Sequence, residues 1–203
     1  NQVKYLTIFS HRQPTDTIQL PLEDKPMDLR IQKTRRNIFN AFIELREKFP
    51  LERITVKELC ERAQISKQTF YLHYHDMYDL SEQIEASMIT EMLADLPYPE
   101  DILIHTGEVT KQLFQKAIEQ GKNFRIVFSG SRVSALTEGL EISLKNALYE
   151  KCPNYRTDLR ANILITILVQ GCYHAYEQYS TIDQDRVVAI ISKIADEISK
   201  DCE

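Results

Sequence analysis

A short run of polar and aromatic side chains is the part of this sequence best equipped for chemistry. It reads Lys67-Gln68-Thr69-Phe70-Tyr71-Leu72-His73-Tyr74-His75. Lysine donates to acceptors such as those on guanine, a glutamine amide matches the edge of adenine, and hydroxyl groups donate to phosphate. The two histidines also suggest a metal ion, but positions i and i+2 of a helix point apart, so we expect no metal site.

The surrounding residues predict two short helices joined by a tight turn. Thr55 can cap the first helix, because Glu58 three residues later completes a capping box. Its apolar positions fall at helical spacing: Val56, Leu59, Cys60 and Ala63. Ser66 offers the second cap, and Phe70 with Tyr74 supplies an apolar pair that would hold the second helix against the first. This layout is typical of a helix-turn-helix that binds DNA.

The charge distribution agrees with that interpretation, although the chain has a formal net charge of -5. Residues 30–75 contain ten Lys or Arg against five Glu, whereas the rest of the chain contains fifteen basic and twenty-five acidic residues. A basic segment on an acidic body predicts that one face contacts phosphates while the body is repelled by them.

The composition predicts an all-α protein, because the 203 residues include only five Gly and seven Pro. We expect a helix over about 31–48, the helix-turn-helix, and a long helix that Asp76 caps and Pro97 ends. Further helices are predicted at about 102–120, 123–129, 132–151, 156–179 and 184–201, with breaks at Gly121, Gly130 and Pro153. The predicted domains are 27–77 for DNA binding and 78–203 for the helical body.

Residues 1–26 contain three prolines and show no sustained helical period. We expect them to be a leader or a disordered N-terminal extension before Met27. The alternative is an arm that contacts the DNA backbone or minor groove, and the nearly balanced charge of the segment favours it less.

Several classes of protein are not expected. No apolar run approaches the roughly 18 to 20 residues that cross a bilayer, and the N-terminus has no export signal, so we predict a cytoplasmic protein without membrane attachment. The four cysteines are widely separated, which favours reduced thiols over zinc or disulfides. Without a Gly-rich phosphate loop, a His-Glu-x-x-His pair or a Gly-x-Ser-x-Gly motif, the sequence predicts neither an enzyme nor a cofactor.

Over residues 31–80 the chain resembles the TetR family of bacterial transcriptional regulators. The similarity lies in Ile54-Thr55-Val56-Lys57-Glu58-Leu59-Cys60 and in Thr69-Phe70-Tyr71-Leu72-His73-Tyr74, which resemble that family's threonine-valine entry and recognition helix. Beyond Leu80 the likeness is to the general helical plan, and 123–128 is similar to a subgroup that includes an activator of dihydroxyacetone kinase genes. The resemblance implies a three-helix DNA-binding domain followed by a helical ligand-binding and dimerisation domain.

By that family's docking pattern, the second helix would enter the major groove of double-stranded DNA, while Thr55, Tyr71 and His73 donate to phosphates. The expected DNA-binding residues are Thr55, Ser66, Lys67, Gln68, Thr69, Tyr71, Leu72 and His73. An ordinary solvated helix end is the alternative for Lys67 and Gln68.

Two residues depart from the family pattern. Gln64 stands where many members have glycine in the turn, which predicts either a strained left-handed residue or a different turn. Met77 stands where many members have lysine just after the recognition helix, which removes one phosphate contact. Lys67 or the Tyr78 hydroxyl would have to replace it.

The segment 159–176 is apolar on nearly every side, so it must be covered on both flanks. A second subunit is the simplest cover, and the resemblance implies a four-helix bundle made with the last helix of each chain. The expected interface residues are Ile163, Ile167, Gln170, Gly171, Val187, Ile191 and Ile194. The alternative is a buried central helix in a monomer. A two-fold dimer predicts recognition helices about 34 Å apart and a near-palindromic operator.

The resemblance also implies a pocket for a small-molecule effector within the body. Candidate lining residues are Met88, Met92, His105, Phe114, Phe128, Tyr149, Tyr173 and His174, for each of which core packing is the alternative. The expected function is that of a homodimeric repressor that the effector releases from DNA. An activator or co-activator that works through a protein partner is the competing hypothesis.

Overall fold

The structure is a computed structural model, and it describes residues 26–94, 96 and 102–200. This part of the chain consists of helices and turns and contains no strand, which confirms the predicted all-α class for it. Within these residues, every helix is too short or too polar to cross a membrane. The predictions for residues 1–25 lie outside the described residues.

The α-helices, in chain order, are α1 (Pro26–Arg46), α2 (Val56–Ala63), α3 (Lys67–Tyr71), α4 (Met77–Ala94), α5 (Thr106–Glu119), α6 (Gly121–Val127), α7 (Val133–Lys151), α8 (Leu159–Tyr179) and α9 (Gln184–Lys200). Short 3-10 helices lie at Leu51–Arg53, Gly130–Arg132 and Pro153–Arg156. The first helix therefore begins earlier than the predicted residue 31. Gly121, predicted as a break, begins α6 directly, because its φ of 64° turns the chain without an intervening loop.

The chain divides into two compact units, Asn1–Arg36 and Asn37–Glu203, with the boundary inside α1. In the described part of the first unit, the Thr34 hydroxyl donates to the Arg30 carbonyl at 2.9 Å, a contact within one helix. The second unit contains the end of α1 and the helices α2 to α9. The domain boundaries proposed at residues 26 and 77 stay predictions.

One apolar core in the second unit extends from α2 and α3 into the body. Phe42, Leu59 and Phe70 are fully buried in it, and Leu80 and Val127 continue it into α4 and α6. The α2–α3 helix pair, residues 56–71, thus shares its core with the helices that follow. Its position depends on packing that the body supplies.

The last helix packs against α5 and α8, and α8 packs against α7. The contact between α5 and α9 is close enough to require a glycine: a Cβ at Gly107 would lie 2.7 Å from the Ser192 carbonyl oxygen. Nearby, the buried Thr106 hydroxyl bonds to that of Ser199 at 2.8 Å. These contacts fix α9 on the body and determine which of its faces stays exposed.

A buried ion pair joins α4 to the segment before α7. Arg132 donates to both carboxylate oxygens of Glu85, from Nε at 2.8 Å and from Nη2 at 2.6 Å. The Ser81 hydroxyl donates to the same carboxylate at 2.6 Å. Because Arg132 and Glu85 are both buried, each charge depends on the other for compensation.

Replacing Arg132 with Met leaves the Glu85 carboxylate buried without its cation, so the free energy of unfolding should fall by about 3 to 5 kcal/mol. The double variant Glu85→Met, Arg132→Met should be clearly more stable than Arg132→Met alone. Urea unfolding followed by circular dichroism measures both. As a matched control, Lys193→Met removes the exposed pair with Glu197 and should change stability little; equal losses in all three variants would contradict the buried role.

Candidate nucleic-acid interface

The first helix of the pair starts with the predicted capping box. The Glu58 amide donates to Thr55 Oγ1 at 3.2 Å, and the Thr55 amide donates back to Glu58 Oε2 at 3.0 Å. The Thr55 hydroxyl also donates to that carboxylate at 2.7 Å, and this bond, followed by the one from the Thr55 amide, lowers the pKa of Glu58. The cap is therefore formed above the ordinary carboxyl pKa and is lost as pH falls through the lowered value.

The turn between α2 and α3 contains a left-handed non-glycine residue. Gln64 has φ 56° and ψ 45°. The Ile65 amide donates to the Cys60 carbonyl at 3.0 Å and the Gln64 amide to that of Glu61 at 3.4 Å, as in a Schellman cap. Of the two outcomes expected for Gln64, the structure shows the strained left-handed residue. Met77, the other departure, is buried in the core.

The second helix, α3, is only five residues long, and two contacts support it. The Ser66 hydroxyl accepts from the Thr69 amide at 3.0 Å and caps its start. Phe70 is fully buried and lies 5.5 Å from the Tyr74 ring and 5.4 Å from the Tyr71 ring, measured between centroids. The predicted cap and apolar anchor are both present.

The opposite face of α3 is open to solvent. Lys67 and Gln68 are exposed, and Tyr71 and Leu72 are exposed by 56% and 76%. Thr69 is half-buried, and its hydroxyl lies 2.8 Å from that of Ser66. These side chains form one surface with an amide, an ammonium group, a phenol and an apolar group, which is the chemistry that contacts base edges and phosphates.

The helix ends earlier than expected, at Tyr71, so His73 and His75 lie beyond it. The amides of His73 and Tyr74 both donate to the Phe70 carbonyl, which turns the chain away from α3. His73 remains half-buried beside Tyr74, with ring centroids 6.1 Å apart. Thr55 and Ser66 are exposed, but their hydroxyl groups are occupied by helix capping.

Basic charge at this surface is smaller than the sequence count suggested. Arg46, one of the ten basic residues counted in 30–75, is buried. Arg62 donates to Glu44 at 2.7 Å, and Lys57 lies 3.9 Å from Glu61. Lys67 is exposed and forms no ion pair with any residue of the described ranges, so its ammonium group is available to an external anion.

Arg46 instead attaches the end of α1 to the end of α6. Its Nη2 donates to the carbonyls of Ile126 at 3.2 Å, Val127 at 3.4 Å and Ser129 at 3.1 Å. Burial lowers the pKa of this guanidinium, and its Nε has no partner. No sequence motif indicates this role, because the acceptors lie about eighty positions away along the chain.

The expected dimer residues differ in their exposure to solvent. The exposed ones are Ile163, Ile167, Gln170, Gly171 and Ile194, whereas Val187 is half-buried. Ile191 is buried within its own chain at 6% exposure, and the exposed stripe of α9 consists of Ile190, Ile194 and Ile198. The assignment of Ile191 to an interface stays a prediction. A Cβ at Gly171 would meet no atom within 4 Å in this chain.

The expected pocket residues do not form one site. Met88, Met92 and Phe128 are buried in the main core, and Tyr173 packs against it. Phe114 instead stacks on Tyr176 with centroids 4.8 Å apart. Tyr149 hydrogen-bonds to Asn162, and Arg156 lies over its ring, 5.1 Å from the centroid.

His105 and His174 are exposed, and their assignment to a ligand pocket stays a prediction. His105 immediately precedes α5, and His174 lies on the outer side of α8. The spacing of residues along a helix could not show which side of that helix the neighbouring helices cover.

Sequence reasoning missed Gln120, a polar residue inside the body. Its amide nitrogen donates to the Met88 carbonyl at 3.2 Å, and its side-chain oxygen is buried without a hydrogen-bond partner among the described residues. Burial of Tyr173, and next the neighbouring Glu177, raises the pKa of its phenol to about 12. Neither property was visible from residue type or spacing.

Comparison with protein-family models and with curated proteins finds no match for this chain. The assignment of function therefore depends on the geometry described above and on the sequence motifs.

Replacing Gln64 with Gly should raise the free energy of unfolding by about 0.5 to 1 kcal/mol, because glycine adopts a left-handed conformation without the Cβ clash. The matched control Gln115→Gly, on the exposed side of α5, should instead lower it by about 1 kcal/mol. Urea unfolding of the two variants gives both values. A loss of stability in Gln64→Gly would show that the left-handed residue carries no strain.

Proposed function

We propose that this protein is a DNA-binding transcriptional regulator: a homodimeric repressor that a small-molecule effector releases from a near-palindromic operator. The observation that carries the proposal is the division of α3 into two sides. Phe70 is fully buried on one side, whereas Lys67, Gln68, Tyr71 and Leu72 project from the other. A short helix held from behind and polar on its outer side suits insertion into the major groove.

The local charge supports the same function. Residues 63–75 contain no Asp or Glu, although acidic residues outnumber basic ones in the chain as a whole. Phosphate repels carboxylates, so a surface without them can approach the DNA backbone at little electrostatic cost. The acidic body then keeps other faces away from the duplex.

The exposed isoleucines support a dimer. Ile163 and Ile167 on α8 are 49% and 54% exposed, and the α9 stripe adds three more. Extensive exposed apolar surface is typical of protein interfaces and rare on monomers. A two-fold dimer contains two copies of α3 related by symmetry, as binding to a duplex with inverted half-sites requires.

The effector is proposed to enter the core beside α4. Met88 and Met92 are flexible apolar residues there, and the unpartnered Gln120 oxygen offers an acceptor to a ligand donor. The expected ligand is mainly apolar with at least one hydrogen-bond donor. Because α4 also follows the helix pair directly, a shift of α4 on binding changes the position of α3.

Replacing Lys67 and Gln68 together with Ala should weaken binding to a duplex selected from a randomised library by at least tenfold, since each base contact contributes about 1 to 3 kcal/mol. Fluorescence anisotropy at fixed salt, with scrambled duplex as competitor, measures the dissociation constant. The control Lys193→Ala removes an exposed lysine from α9 and should leave affinity unchanged. If the double variant binds as tightly as the parent, or if the parent selects no duplex, α3 is not a recognition helix.

Replacing Gly171 with Leu should convert the dimer to monomers without destabilising the chain, because a side chain there is open to solvent in one chain but blocks an approaching helix. Sedimentation equilibrium distinguishes twice the chain mass of 23.7 kDa from one. Gln115→Leu adds the same side chain on α5 and should remain dimeric. A parent protein that sediments as a monomer at tens of micromolar would contradict the proposed interface.

A further inference from the structure

Leu72 is the most exposed large apolar side chain of the α3 region, at 76%. A single exposed leucine is common on protein surfaces and needs no explanation by itself. Its position is what distinguishes it. The Leu72 backbone has φ −72° and ψ −22°, so the residue continues the helical phase of α3 by one position.

That phase places Leu72 on the outer side of the helix. With about 100° of rotation per residue, Leu72 lies about 160° from Phe70, whose side chain is fully buried. It lies about 40° from Gln68, and the Leu72 amide donates to the Gln68 carbonyl at 3.2 Å. The outward stripe of α3 therefore consists of an amide followed, one turn later, by an apolar group.

The surroundings of this stripe indicate what would cover it. Lys67 and the carboxylate-free segment 63–75 favour a polyanion, whereas an ordinary protein interface would require a larger apolar patch. The major groove of a duplex presents one apolar group, the C5-methyl of thymine. An exposed leucine beside hydrogen-bonding side chains matches a thymine methyl beside base-edge acceptors and donors.

We infer that Leu72 determines sequence specificity by contacting the C5-methyl group of one thymine in each operator half-site, while Gln68 contacts a base within two base pairs of it. The inference rests on the proposed DNA-binding function and adds a specific base to it. The spacing follows from the helix: four residues advance about 6 Å, which is nearly two base-pair steps of about 3.4 Å.

Deoxyuridine provides the test, because it keeps every hydrogen-bonding group of thymidine and removes only the methyl. The full chain selects a duplex from a randomised library, and each thymidine of that duplex is then replaced singly by deoxyuridine. One position per half-site should lose affinity by about fourfold, the change expected for one buried methyl group. When both half-sites carry the substitution, the two fold-losses of affinity should multiply.

The same duplexes bound to Leu72→Ala decide whether Leu72 makes the contact. In that variant, the deoxyuridine substitution that weakened the parent complex should have no effect. The control Ile182→Ala removes another highly exposed apolar side chain, far along the chain, and should keep the parent's sensitivity. Selection with Gln68→Ala should lose preference at a position within two base pairs of the sensitive thymine.

The outcomes separate the two proposals. If the parent binds one duplex selectively but no deoxyuridine substitution matters, or if the sensitivity persists in Leu72→Ala, the role of Leu72 is overturned while DNA binding stands. If the parent selects no duplex, both proposals fail. The assignment is supported if one deoxyuridine substitution weakens binding by the parent and by the control variant but not by Leu72→Ala.

Discussion

Burial of Phe70 is the contact on which the candidate interface depends. A five-residue helix is too short to persist by its own hydrogen bonds, because nucleation costs more than so few bonds return. Phe70 holds α3 against a core shared with Phe42 and Leu80, and the Ser66 cap fixes where the helix begins. The outward positions of Lys67, Gln68 and Leu72 follow from that one buried ring.

The features that the sequence predicted correctly are local ones. The Thr55–Glu58 capping box, the Ser66 cap and the Phe70 anchor each involve residues no more than four positions apart, and residue type and spacing determine such contacts. For Gln64 the sequence left two outcomes open, a left-handed residue or a different turn, and the structure shows the left-handed one. The all-α fold class was predicted from local preferences as well, because few residues of the sequence disfavour helices.

The features that the sequence could not supply depend on distant packing. Arg46 was counted among basic residues available to phosphate, yet its acceptors belong to another helix far along the chain. Buried Ile191 and exposed Ile190 are adjacent in the sequence, and adjacent side chains of a helix point about 100° apart around its axis. An apolar pattern shows that a face must be covered, but only the neighbouring helices show which residues they already cover.

The hydrogen bonds from Arg46 to the end of α6 also affect how the second unit unfolds. If α1 separated from α6, a charged guanidinium would lose several acceptors, and the last carbonyls of α6 would lose their donor. Because the same helices share one apolar core, local opening of α2 and α3 together with the end of α1 exposes apolar surface as well. The end of α1 and the helices α2, α3 and α6 are thus expected to unfold together.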